Sequence, residues 1–232
     1  MKQAVLGLVL ILVSSSFAII APVQSSNSSC ISSAGTSCTV GFASNLTAGN
    51  LVVVGGVGSS TLSSVSIPGF TCSVGVANTG KPFICYAANF AGGVNSLTVT
   101  VPASSFLDGS GAEYSNVATS SPVDVTQAND FFSSGTTWTT TTLTTVTPND
   151  IVFYIGGSAG GNRTFTAAAS GTIASQVQDA TNLQSSFIWY RIVTTATTYT
   201  PGVTLNSAAA GSTLTIAFKP GSITPGHQPL IF

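Results

Sequence analysis

Short apolar runs alternate with clusters of Gly, Asn, Pro and Ser along most of the chain. Residues 51–54, 83–87, 97–101, 151–155, 187–193, 203–205 and 214–218 are rich in Val, Ile, Thr, Phe and Tyr, side chains that suit a pleated, half-buried surface. Leu97-Thr98-Val99-Thr100-Val101 alternates strictly, as a strand with one buried and one wet face should. No window beyond residue 18 carries a helical period, so the pattern predicts an all-β protein. The Thr-dominated residues 133–147 are predicted to form an extended strand, because Trp138 and Leu143 give it something to bury. Trp138 then lies on the parity opposite Leu143, which predicts an exposed ring.

The pattern repeats. Phe83-Ile84-Cys85-Tyr86 returns as Phe187-Ile188-Trp189-Tyr190, and the same offset of 104 pairs Val99-Thr100-Val101 with Val203-Thr204-Leu205 and Glu113-Tyr114 with Ala217-Phe218. Ala48-Gly49-Asn50-Leu51-Val52 matches Thr147-Pro148-Asn149-Asp150-Ile151 at an offset of 100. Two halves, residues 36–119 and 136–220, therefore share a strand order. Residues 120–135 are not a Pro- or Gly-rich linker, and a half with roughly five strands would leave its apolar face uncovered, which predicts one two-sheet β-sandwich domain over residues 36–220. The Gly-rich pieces Gly55-Gly56-Val57-Gly58 and Gly156-Gly157-Ser158 follow matching strands and are read as loops.

Before that domain, Lys2, the apolar residues 4–13 and Ser16-Phe17-Ala18 read as a secretory signal peptide over residues 1–18, too short in its apolar run for a membrane span. Residues 19–35 are expected to form an N-terminal arm and residues 221–232 a flexible C-terminal tail. The expectation is thus a secreted or cell-surface protein. Charge sharpens it: Asp, Glu, Lys and Arg make up 5% of the chain, where a globular protein carries about a quarter. Lys81, Arg163, Arg191 and Lys219 are scattered, which argues against nucleic acid as a partner.

Four cysteines in an exported chain form an even set. Chain order favours Cys30 with Cys38 and Cys72 with Cys85, each pair bracketing a hairpin-like segment, although three connectivities are formally open. No Cys-x-x-Cys is present and the single histidine, His227, sits in the tail, which argues against zinc.

The succession Ala48-Gly49-Asn50-Leu51-Val52-Val53-Val54, Tyr86-Ala87-Ala88-Asn89-Phe90-Ala91-Gly92-Gly93, Glu113-Tyr114-Ser115-Asn116-Val117, Pro122-Val123-Asp124, Pro148-Asn149-Asp150-Ile151-Val152 and Ala217-Phe218-Lys219-Pro220 resembles a broad group of secreted bacterial jelly-roll modules. The likeness implies a lectin-like or concanavalin-like sandwich of jelly-roll type. It supplies no catalytic residues.

The residues themselves argue against an enzyme. A Ser-His-Asp arrangement would have to recruit His227, and no Gly-x-Ser-x-Gly elbow is present. Paired carboxylates for a secreted glycoside hydrolase would come from Asp108, Glu113, Asp124, Asp130, Asp150 and Asp179, but Asp108 and Asp150 sit at ordinary turn positions. Glu113 alternates with Ala112 and Tyr114 and is expected to be an exposed strand residue, a candidate binding group together with Trp138. No cofactor is expected, and the one candidate is calcium at Asp124, Asn129 and Asp130, since that ion takes oxygen ligands from loops. The function expected is a non-enzymatic recognition module for extracellular polysaccharide or another surface polymer, with Trp138 stacking on sugar. The alternative is a structural or adhesive subunit that self-assembles through poorly charged edge strands.

Overall fold

The computed structural model describes residues 16–77, 80–158, 160–168, 170–181 and 184–223, and every regular element among them is a strand. In chain order these are β1 (Ser16–Phe17), β2 (Ala21–Ser28), β3 (Cys30–Phe42), β4 (Leu51–Ser59), β5 (Thr71–Val74), β6 (Gly80–Ala87), β7 (Ser96–Ser115), β8 (Val123–Phe132), β9 (Thr137–Thr139), β10 (Leu143–Thr144), β11 (Ile151–Ser158), β12 (Phe165–Ala168), β13 (Thr172–Asp179), β14 (Gln184–Ile192), β15 (Thr198–Tyr199), β16 (Gly202–Leu205), β17 (Gly211–Phe218) and β18 (Ser222–Ile223). Among the described residues no helix is long and apolar enough to cross a membrane. Most of the expected signal peptide and of the expected tail, His227 included, lies outside the described residues; Ser16–Phe17 and Ser222–Ile223 pair with each other as β1 and β18.

Two antiparallel sheets dominate. One runs β2-β3-β7-β4-β6-β5 and the other β13-β14-β11-β17-β8. In each, the opening strand pairs with the closing one (β3 with β7, β8 with β17), which pairs with a long apolar strand (β4, β11), followed by β6 or β14 and then β5 or β13. The registers coincide as well: Leu51 faces Tyr114 as Ile151 faces Phe218, and Val52 faces Ala87 as Val152 faces Arg191. Residues 21–28, expected in an arm, are strand β2 and pair with both β7 and β3.

Period-two alternation sends β4 and β11 into two different layers each. Leu51 and Val53 meet Ile151, Phe153, Ile155, Ile188 and Phe218 between the sheets. Val52 and Val54 point the other way, into a layer closed by Leu46, Leu62, Val65 and Ile67. Val152 and Tyr154 point into a third, closed by Trp138, Leu143, Phe165 and Val203. The single two-sheet core expected from the repeat is therefore corrected to three apolar layers, one between the sheets and one outside each. The physical reason is that a strand apolar at every position, as Leu51–Val54 is, needs cover on both faces. Much of the third cover is the sheet β12-β16-β9.

Two further expectations change. Gly55 and Gly56 lie inside β4, and Gly156 and Gly157 inside β11, so these glycines are not loops. A Cβ at Gly55 would press on Ile155 of the opposite sheet at 2.6 Å, so glycine sets how closely the two sheets approach. Residues 133–147 are not one strand: β9 ends at Thr139 and β10 begins at Leu143.

Both expected disulfides are present, Cys30–Cys38 and Cys72–Cys85. Cys72 and Cys85 are direct partners across β5 and β6. Cys30 and Cys38 bracket no hairpin; both lie in β3, on either side of register shifts that carry the strand from a partnership with Gly109 to one with Val99. The bridge closes a corner.

Candidate functional site

Trp138 is fully buried, which corrects the expectation of an exposed ring. It stacks on Phe132 with centroids 5.0 Å apart and planes 7° apart, and tilts against Phe165. Residues 140–142 break the strand between Trp138 and Leu143, so alternation does not carry across. The ring has no face left for a sugar.

Glu113 is also buried, against the expectation of an exposed strand residue. It does point away from Ala112 and Tyr114, which pack between the sheets, but the face it points to is covered by residues 44–50. Its carboxylate accepts hydrogen bonds from Gln24 Nε2, the Thr47 N–H and Asn50 Nδ2, each at 2.7 Å. Burial raises the pKa of this group, yet the bonds from Gln24, Thr47 and Asn50 outweigh it and hold the carboxyl below its usual range. Glu113 is a clamp on a covering loop.

The structure does not bring Asp124 and Asp130, the candidate calcium ligands whose side chains are described, together. Asp124 and Asp130 lie six positions apart on β8, roughly 20 Å of strand. Asp124 accepts from the Val146 N–H at 2.6 Å, the Thr147 N–H and Thr147 Oγ1; Asp130 accepts from Thr140 Oγ1, Thr141 Oγ1 and the Thr141 N–H. Each aspartate ties down a different part of residues 140–147. The side chain of Asn129 lies outside the described residues, and among those described no three metal-ligating His, Cys, Asp or Glu side chains converge.

Two carboxyl pairs, each joining an aspartate expected at a turn (Asp108, Asp150) to a second aspartate (Asp179, Asp124), are the chemically unusual places. Asp108 lies within β7, fully buried, on the same face as Ala112, and neither of its oxygens accepts a hydrogen bond. Burial, and then the nearby charge of Asp179 on β13, push its pKa up to about 7. Hydroxyls of Ser110 and Ser186 in the same inter-sheet layer also lack partners. On β17, Ser212 Oγ crosses the layer to the Gly80 carbonyl on β6.

The second pair joins β8 to the start of β11. Asp150 is fully buried and accepts no hydrogen bond; it lies against Asp124, to which it donates when protonated. Burial, followed by the hydrogen bond and charge of Asp124, raises its pKa to about 8, with Lys219 opposing. Asp124 is the charged member: burial raises it, but the Val146 N–H, Asp150 and Thr147 more than offset that and hold it below its usual range. The signal for both pairs was present in the sequence as carboxylates next to unbroken apolar runs, Asp150 before Ile151-Val152-Phe153 and Asp108 after Phe106-Leu107.

Among the described residues, one surface depression has partly buried Tyr86 in its lining. A depression of about 310 Å³ is lined by Gly69, Thr71, Tyr86, Ala87, Ala88, Asn89, Thr119 and Pro122, and Tyr86 is fixed edge-on against Phe218 at 4.9 Å. No protein-family model, curated protein or solved structure matches the chain.

Proposed function

We propose that the chain is an exported, non-enzymatic module that recognises extracellular polysaccharide or another surface polymer, with Tyr86 taking the place that the sequence offered to Trp138. The observation that carries this is the groove beside Tyr86, where a phenol ring held by Phe218 is flanked by the amide of Asn89 and the hydroxyls of Thr71 and Thr119. A ring face for the apolar side of a sugar, with amides and hydroxyls for its edges, is what such ligands need. The two disulfides fit an oxidising, extracellular setting. Behind the groove we read two pseudo-repeated halves of jelly-roll type, on the matching strand order and the transfer of β9 and β16 into a separate sheet. Binding is weak and insensitive to salt, because so few charges are present to steer a partner.

A polysaccharide pull-down with wild type and Tyr86→Ala tests this. Retention of the wild type and loss in the variant is the expected result; no retention on any polymer overturns it. The second reading is an adhesive subunit that assembles through strand edges, favoured by β8 and β13, which end the five-stranded sheet and contain no Lys, Arg or Pro to block pairing. Ordered filaments by negative-stain microscopy, absent when Thr126→Lys and Gln178→Lys are combined, would put that reading first. Release of reducing sugar from a polymer would overturn both.

A further inference from the structure

The inter-sheet layer is aromatic at one end, around Tyr114, Phe153 and Phe218, and polar at the other. On β7, Asp108 and Ser110 share the face of Ala112, which packs between the sheets. On β14, Ser186 shares the face of Ile188, which packs there too. Strand register brings these faces to one place. Val57 on β4 stands directly opposite Asp108, and Gly157 on β11 directly opposite Ser186. A Cβ at Gly157 would press on Val57 Cγ1 of the other sheet at 2.9 Å, so the two residue pairs lie one above the other. The Tyr114 and Tyr190 rings, 5.1 Å apart, place β14 under β7, while the Ser212 bond to the Gly80 carbonyl places β17 under β6. Asp108 therefore lies across the layer from Ser186. Asp179 on β13 pairs with Gln184, two positions beyond Ser186 on the same face.

Both Asp108 oxygens, Ser110 Oγ and Ser186 Oγ are wholly shielded from water and have no hydrogen-bond partner. Buried oxygens in native proteins are paired, so a set of unpaired ones on facing strands marks a place for a bound species. The basic side chains of the described residues do not supply the missing charge. Lys81 donates to the Leu62 carbonyl at 2.8 Å, Arg163 donates to the Ala208 carbonyl at 3.1 Å, Arg191 lies over the Tyr199 ring, and Lys219 lies past the far end of β17.

We infer that Asp108, Ser110 and Ser186 hold a calcium ion between the sheets, with Asp179 supplying the second negative charge. This goes beyond the binding reading and does not rest on it. Carboxylate and hydroxyl oxygens are the ligands this ion takes. A water molecule would satisfy the hydroxyls but leave the carboxylate charge buried and uncompensated. Magnesium retains several waters, whereas calcium exchanges them for protein oxygens and accepts irregular geometry. With two carboxylates at most, the affinity is that of an extracellular module, a Kd of about 10⁻⁴–10⁻³ M. Without the ion, Asp108 holds a proton instead, because burial and then Asp179 raise it to about 7.

The test is unfolding of the full chain, stripped with a chelator and then titrated with calcium, magnesium or sodium chloride at equal ionic strength. Calcium at about 10 mM should shift the folding equilibrium toward the native state by roughly ten-fold to a hundred-fold, and magnesium and sodium should not. Ser110→Ala combined with Ser186→Ala should be at least as stable as wild type in chelator, since hydroxyls without partners contribute nothing there, and should lose the calcium response. Asp108→Asn should lose it as well, so that its gain in stability at neutral pH shows only in chelator. A wild type indifferent to calcium overturns the proposal. So does a response of the same size in the double serine variant, which would put the ion elsewhere, or an equal response to magnesium, which would mark a surface charge effect.

Discussion

The sheet built on β4 and the sheet built on β11 show corresponding strand pairings and are closed by different chemistry. Cys38 faces Val99 on β7, and at the matching place Trp138 faces Val203 on β16. Cys85 sits between Val54 and Cys72, and Trp189 at the matching place sits between Tyr154 and Ile173. Where the first half closes with sulfur, the second fills the space with indole. The rings fit because glycine lies beneath them: a Cβ at Gly211 would overlap Trp138, and one at Gly171 would overlap Trp189. The acid that clamps the covering loop has also moved. Glu113 on β7 holds Thr47 in the first half, whereas the second has Ala217 at that place and holds Thr147 from Asp124, at a bulge of β8. Strand order and register therefore constrain this architecture more tightly than any particular contact does, since cross-link, ring and carboxylate all exchange while register stays.

The largest effect should come from separating what is compared. Residues 19–125 and 126–232 expressed apart should aggregate or stay unfolded, because each would expose one wall of the layer containing Leu51, Val53, Phe153 and Phe218. Circular dichroism with ultracentrifugation checks this, and two soluble fragments with sharp melting transitions would show that the outer layers suffice.

Next in size is a direct contest between sulfur and indole at equivalent positions. Trp138→Ala should cost about 3–5 kcal/mol, since the cavity would open between Phe132, Phe165 and Gly211. Replacing Cys30 and Cys38 together by Ala should cost roughly 2–3 kcal/mol, mainly by freeing the unfolded chain. Urea titration of both variants decides whether the indole is the stronger closure. Equal costs would mean that the corner, not its filling, sets stability.

How much of this could be read from the sequence depends on how local each cue was. The alternation at residues 97–101 reports its own environment, and Leu97, Val99 and Val101 are buried while Thr98 and Thr100 are exposed. The cysteine pairing followed from short spacing. The outer covers were not local: Glu113 points to the face that alternation assigns it, but whether water or a loop waits there depends on residues 44–50, more than sixty positions away. The glycines of β4 and β11 resemble turn residues until the opposite sheet is in place and Ile155 occupies the space above Gly55. Asp108 and Asp150 resemble turn aspartates for the same reason, because a single carboxylate next to Gly or after Asn carries no record of the layer that will bury it.

Acidity separates the halves more finely. Asp108 belongs to the first half and is raised from 3.8 to about 7 by burial and by Asp179 of the second. Between those values the folded chain holds a proton that the unfolded chain has lost, so Asp108 makes stability fall as pH rises from about 4 to about 7, and Asp150, raised to about 8, extends the fall to about pH 8. Asp108→Asn should remove the Asp108 share of this slope, leave that of Asp150, and stabilise the protein above pH 7 by on the order of 2–4 kcal/mol. Glu113 and Asp124, held below their usual range, act in the opposite sense and lose their contribution as acid protonates them. Thermal melts from pH 3 to pH 9 check both limbs, and a slope unchanged in Asp108→Asn would place the titrating group elsewhere.

The smallest effect compares the two clamps themselves. Asn50→Ala removes one of three donors from buried Glu113 and leaves those from Gln24 and Thr47, so the carboxylate stays partly satisfied. The expected cost is about 1–2 kcal/mol, and it should appear as faster amide hydrogen exchange in residues 44–50 before any change in global stability. Thr147→Val removes one hydroxyl from Asp124 but leaves the Val146 and Thr147 N–H donors, so residues 145–147 should loosen less. The reason for the asymmetry is burial: Glu113 has no access to water to replace a lost donor, whereas Asp124 is only half-buried and can recruit one. Equal exchange in the two loops would show that the carboxylate's position on β7 or β8 is immaterial, and the moved acid would then be a neutral exchange between the halves.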